Sequence, residues 1–151
     1  MNAEIVTTAP INLFKLLVES KNNTVWNKEN LGQVYLMKIT HLKGKSKKLY
    51  DTFYKLGYTG YQELTSRIIY MPSCFEVEVI DTAIFNRAEA RRIEGIIHRH
   101  LTRYSYRTKH KKWAGEFECY RLELMERFTS LNQIINNIIH PVVTVNRLQT
   151  L

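Results

Sequence analysis

Long apolar runs are missing from this chain of 151 residues. None approaches the roughly 18 consecutive apolar residues that a membrane-spanning helix needs. The N-terminus, MNAEIVTTAPINLF, lacks a basic segment followed by an apolar one, so no secretory signal is expected. Cysteine occurs only at Cys74 and Cys119, too sparse and too isolated for a disulfide framework or a cysteine-based zinc site. Together these absences suit a reducing setting, cytoplasmic or nuclear, and not a secreted protein. No repeat and no low-complexity linker divides the chain, whose length suits a single domain (1–151) with a core of its own. With 44% hydrophobic and 24% charged residues, the composition is that of a folded globular protein and not of a disordered one.

Acid is also in short supply: 14 Asp and Glu stand against 22 Lys and Arg, for a net charge of +8. The excess is concentrated. Between Arg87 and Lys112 nine Lys or Arg face only Glu89 and Glu94, and KGKSKK (Lys43 to Lys48) adds four more lysines. Clustering of this kind is the electrostatic footprint of a polyanion partner, although a basic face can also serve solubility alone. An acidic membrane surface fits less well, because the basic segment carries no matching face of Trp, Phe and Leu.

Hydrophobic periodicity gives the elements. INLFKLLVES (11–20) reads as a helix and the asparagines around Trp26 as a loop. GQVYLMKIT (32–40) and FYKLGYT (53–59) read as strands, joined by a long polar loop over 41–52. Residues 60–70 suit a helix with Leu64 and Ile68 inward, stopped by Met71-Pro72. CFEVEVIDTAIF (74–85) alternates as a third strand. In the long helix that follows, Asn86 is the expected N-cap, with Glu89 three residues on, and Ala90, Ile93, Ile96, Ile97 and Leu101 form the buried stripe. A fourth strand over 116–124, one helix to His140-Pro141 and a terminal extended piece complete an α+β layer design. The expectation is a small antiparallel β-sheet flanked by helices, with a core over 32–122 and helical extensions over 1–31 and 123–151.

Five stretches in order carry a resemblance: GQVYLMK, YKLGYT, SRI, RIEGIIHRHL and GEFECYRL. This series resembles the GIY-YIG nuclease superfamily, and within it the phage-type branch whose second motif reads Lys-(Ile/Leu)-Gly-x-Thr. The first motif departs from the family in lacking its Gly-Ile pair. The resemblance implies metal-assisted hydrolysis of a phosphodiester, in DNA more readily than in RNA, with Mg²⁺ or Mn²⁺ as cofactor. It assigns Tyr35 as the base or water-positioning phenol, with Lys55 in the place of the family's second tyrosine. A phenol's ordinary pKa of about 10 makes a neighbouring cation useful to it. Arg67 would fork across the non-bridging oxygens, Glu94 would hold the metal, and His98, one turn on, would contact phosphate or shuttle a proton. Gly57 would let the strand approach the site closely. Arg67 falls eight residues after Thr59, about two more than the family's usual spacing, so Arg87 and Arg91 remain alternatives. Glu116 or Glu118 stands near the place of an Asn found in other branches.

Contact with nucleic acid would fall to the basic helix and the segment after it, through Arg91, Arg99, Arg103, Tyr104, Arg107, Lys109, Lys111, Lys112 and Trp113. Cations there supply salt-sensitive phosphate affinity, and the aromatics could stack on bases or tuck into the core. Glu94 and His98 at i, i+4 resemble half a zinc site, but no third ligand is evident in the sequence. Two other readings stand beside the nuclease. One is a non-cleaving nucleic-acid-binding module on the same fold. The other is an interaction protein that oligomerises through the apolar run INNIIHPVV.

Overall fold

Why GQVYLMKI is apolar almost without interruption is answered by its place in the sheet. The computed structural model describes residues 4–7, 31–60 and 64–139. Its sheet contains β1 (Glu4–Thr7), β2 (Leu31–Lys43), β3 (Lys48–Gly60), β4 (Phe75–Asn86) and β5 (Cys119–Tyr120), in the spatial order β1-β4-β2-β3-β5. β2 is therefore central and buried on both faces, which calls for a near-continuous apolar run. β2, β3, β4 and β5 pair antiparallel, while β1 adds a parallel edge on β4 that sequence reading did not anticipate. The expected α+β class is observed.

Two cores lie on opposite faces, divided by the two-residue alternation of the strands. Tyr35, Met37 and Ile39 of β2 join Phe53, Phe75, Val77 and Val79 on one face, covered by α1 (Leu64–Ile69). Val34 and Leu36 meet Ala90, Ile93 and Ile97 of α2 (Arg87–His100) on the other. α2 starts where the sequence says it should, with Asn86 Oδ1 accepting the Glu89 N–H at 2.9 Å. Ile96, assigned to the buried stripe, is only half-buried on the flank of that face.

Three expectations are corrected. The long loop over 41–52 is a four-residue turn, Gly44 to Lys47, closed by Lys47 N–H to Gly44 O at 3.1 Å, with positive φ at Gly44 (80°) and Lys47 (50°). The lysines there do not break the strands, because this end of the ribbon is solvated and polar side chains pair freely on it. The strand over 116–124 shrinks to Cys119–Tyr120; before it, tight turns close from Trp113 O to Glu116 N–H (3.1 Å) and from Gly115 O to Glu118 N–H (3.0 Å). The single C-terminal helix is two, α3 (Leu124–Arg127) and α4 (Leu131–Ile139), separated where Phe128 turns extended and buries its ring. Ser130 restarts the helix by accepting Gln133 N–H at 3.1 Å, a capping signal present in the sequence.

Leu131, Ile134 and Ile135 of α4 are spent inside the second core, against the apolar face of α2. The expected N-terminal helix (11–20), its following loop and the terminal extended piece lie outside the described residues. Among the described residues, no helix is long and apolar enough to cross a membrane.

Candidate active site

The register of β2 and β3 sets Tyr35 opposite Gly57 and Met37 opposite Lys55, so Tyr35 and Lys55 are diagonal neighbours on one face. Lys55 Nζ donates to Tyr35 Oη at 2.6 Å, and both residues are buried, with exposures of 4% and 2%. The bond passes over Gly57. A Cβ at that position would collide with Tyr35 Oη and stand 2.6 Å from Tyr35 Cζ and 2.9 Å from Lys55 Nζ. Gly57→Ala is therefore expected to cost about 1–3 kcal/mol by overpacking and to displace the phenol; urea unfolding followed by far-UV circular dichroism measures the first effect.

Burial disfavours the charge on Lys55, but Tyr35 and Glu118, whose Oε1 is 3.7 Å from Nζ, more than offset this and hold its pKa above the ordinary lysine value. A buried cation is thus fixed against the phenol oxygen.

α2 delivers the acidic side of the site. Glu94 and His98 lie one turn apart, and His98 Nε2 stands 3.0 Å from Glu94 Oε1 and 3.9 Å from Glu118 Oε2. Burial alone would raise the Glu94 pKa, yet His98, Glu118 and Lys55 together hold it below the ordinary carboxylate value. The His98 ring stacks on Tyr120 at 5.6 Å and 9°, and its Nδ1 meets Tyr120 Oη. His98 is accordingly not on the cavity wall; it backs the two carboxylates.

These residues also test the metal expectation. One ligand atom from each of Glu94, His98 and Glu118 lies within 4.8 Å of the others, so Glu118 stands where the sequence reading had no third candidate ligand. His98 Nε2 is buried and stands 3.0 Å from Glu94 Oε1. Two carboxylates and an imidazole nitrogen are a donor set that fits a divalent cation.

Tyr35, Lys55, Arg67, Glu94, Trp113 and Glu118 all line one cavity of about 470 Å³. Arg67 reaches it despite its unusual spacing, because α1 turns its side chain back so that Nε donates to Thr59 Oγ1 at 3.5 Å. Arg87 and Arg91 do not line this cavity; they form a separate shallow groove with Arg92 and Arg99, on the other side of Tyr58. Tyr70, exposed at 87% on the rim, was not singled out from the sequence. Its only signal was an aromatic just before the helix-stopping Met71-Pro72.

The basic segment after α2 is stitched down by its aromatic members. Tyr106 Oη donates to the Asp51 carboxylate at 2.8 Å, and Trp113 Nε1 donates to Thr108 Oγ1 at 3.1 Å while its ring packs edge-on to Phe75 at 5.1 Å. Tyr104 packs against Phe128 at 6.4 Å. The rings of Tyr104 and Trp113 thus serve the cores, with Trp113 also reaching the cavity, while Arg91, Arg99, Arg103, Arg107, Lys109, Lys111 and Lys112 remain exposed.

Residues 32–138 match the family model of the T5orf172 domain. The chain belongs to the T5orf172 domain family. No curated protein and no solved structure matches it. The T5orf172 match takes in every residue of the cavity, and it runs past residue 122 through α3 into α4. The T5orf172 domain is phage-associated and compatible with a nuclease-like or DNA-binding role.

Proposed function

We propose that this T5orf172 domain is a divalent-metal-dependent endonuclease of GIY-YIG type that hydrolyses phosphodiester bonds in DNA. One observation carries the reading: Tyr35, Lys55, Arg67, Glu94 and Glu118, drawn from five separate stretches of sequence, share the wall of one cavity. The set pairs a proton acceptor with an acidic corner and a guanidinium, as in-line displacement at phosphorus requires.

Water attacks phosphorus as its proton passes to the Tyr35 oxygen, which acts in its phenolate form and ends as the neutral phenol; the Lys55 ammonium, 2.6 Å away, favours the charged form of that oxygen before the transfer. Arg67 faces the non-bridging oxygens and offsets their charge in the transition state. Glu94 and Glu118, backed by His98, would hold Mg²⁺ or Mn²⁺. Such an ion, when bound, neutralises the oxygen that departs from phosphorus. His98 is a positioning residue here: stacked on Tyr120, it holds its Nε2 3.0 Å from the Glu94 carboxylate.

The exposed cations of α2 and the following segment supply backbone affinity for the polyanion. With about six phosphates engaged, the binding constant for duplex DNA is expected to fall by roughly 10³-fold between 50 and 200 mM salt. Fluorescence anisotropy over that range measures it; a flat response would remove the nucleic-acid reading altogether. A module that binds without cutting would share this salt response, and metal-dependent turnover separates the two. An oligomeric interaction protein would use the run INNIIHPVV (135–143), of which Ile135 is buried in the second core and residues 140–143 lie outside the described residues.

A further inference from the structure

A second cluster of metal-ligating side chains lies at the opposite end of β2 from Tyr35. There the β2–β3 register shifts between His41 and Leu42, and Cys74, in the turn before β4, and His110, in the basic segment, come up beside His41. One ligand atom from each of the three lies within 4.8 Å of the others, and Cys74 Sγ is 3.9 Å from His110 Nδ1. His41 is only 7% exposed, and its Nδ1 is buried without a hydrogen-bond partner. An unpaired buried polar nitrogen is costly unless something engages it.

We propose that His41, Cys74 and His110 form a zinc site with three protein ligands, distinct from the Glu94–His98–Glu118 corner. Zinc–sulfur and zinc–nitrogen bonds of about 2.3 and 2.0 Å put tetrahedral sulfur and nitrogen ligands roughly 3.5 Å apart, so the cluster would contract by up to about 1 Å on binding. One thiolate and two imidazoles select a borderline-soft ion over Mg²⁺. A fourth position is left for water. Burial and the neighbouring His110 hold the His41 pKa below the ordinary histidine value, which favours the neutral ligand form.

The charges around the cluster are mixed. Lys43 and Lys109 oppose a cation, but their ammonium groups lie over the Tyr50 ring at 4.4 and 4.6 Å, and Asp51 contributes the opposite sign. Phe75 packs edge-on to both imidazoles, at 5.3 Å from His41 and 5.5 Å from His110, and gives the site an apolar wall. The ion would tie three distant stretches together. It would pin the basic segment to the sheet, upstream of Trp113 and the cavity.

Titration of the stripped full chain with Co²⁺ tests this. The expected result is one equivalent bound with tetrahedral d–d bands and a thiolate charge-transfer band, any further equivalent at the Glu94–His98–Glu118 corner adding no thiolate band. That band is lost in Cys74→Ser and in His110→Asn, and kept in Cys119→Ser and in Glu94→Gln. Folded wild-type protein, judged by circular dichroism, that shows no thiolate band at saturating Co²⁺ would overturn the proposal. So would a band retained in Cys74→Ser. Because the wild-type titration decides by itself, a variant that fails to fold leaves the test intact. The Glu94→Gln control keeps this site's failure separate from that of the nuclease.

Discussion

Tyr35→Phe is expected to lower turnover on DNA by roughly 10²–10⁴-fold, the range that a positioned proton acceptor contributes. The ring would still fill the space over Gly57 and stay packed in the first core, so the sheet is retained. What disappears is the oxygen that accepts from Lys55 Nζ. Lys55 then keeps only Glu118, at 3.7 Å, as a charged partner. The cost in stability should be about 1–3 kcal/mol, that of a buried donor losing its partner. Single-turnover rates at saturating enzyme, with circular dichroism as the folding control, separate the two effects. A folded variant that cuts at the wild-type rate would exclude the phenol from the chemistry.

Phe53→Ala should have the largest effect on stability, about 3–5 kcal/mol, as expected for truncating a fully buried ring. Phe53 stands at the centre of an aromatic cluster with Phe75 at 5.8 Å, Tyr106 at 5.9 Å and Trp113 at 6.3 Å. Two of those rings belong to the basic segment, which is held to the sheet largely through them. The truncation should therefore loosen the segment as well as the core. Urea unfolding gives the stability; a change below about 1 kcal/mol would mean that the cavity collapses around the missing ring, and the cluster would not be a keystone.

Much of this was legible from local pattern. The apolar run of β2, the alternation in β4 and the Asn86 cap are short-range signals, and each fixed its element. Tyr35, Lys55, Arg67 and Glu94 were marked by motif order, and the cavity unites them. What escaped reading depends on contacts that no local window contains. The parallel edge strand Glu4–Thr7 owes its place to β4, far along the chain. The lysine-rich turn looked like a loop because composition says little about a solvated ribbon. Phe128 interrupts the C-terminal helix to reach the second core, a tertiary demand that overrides helical periodicity. Glu118 could be placed near the site but not assigned, since its meeting with Glu94 and His98 is set by β5 pairing with β3. His41, Cys74 and His110 stand more than thirty residues apart in sequence. No spacing rule joins them.

The most direct measurement is incubation of purified protein with supercoiled plasmid, with and without Mg²⁺ or Mn²⁺, beside Glu94→Gln. Nicking or linearisation that requires the metal and vanishes in the folded variant is the expected result. Intact plasmid under every condition, with salt-sensitive retardation in a gel, would contradict the nuclease and leave a binding module on the same fold.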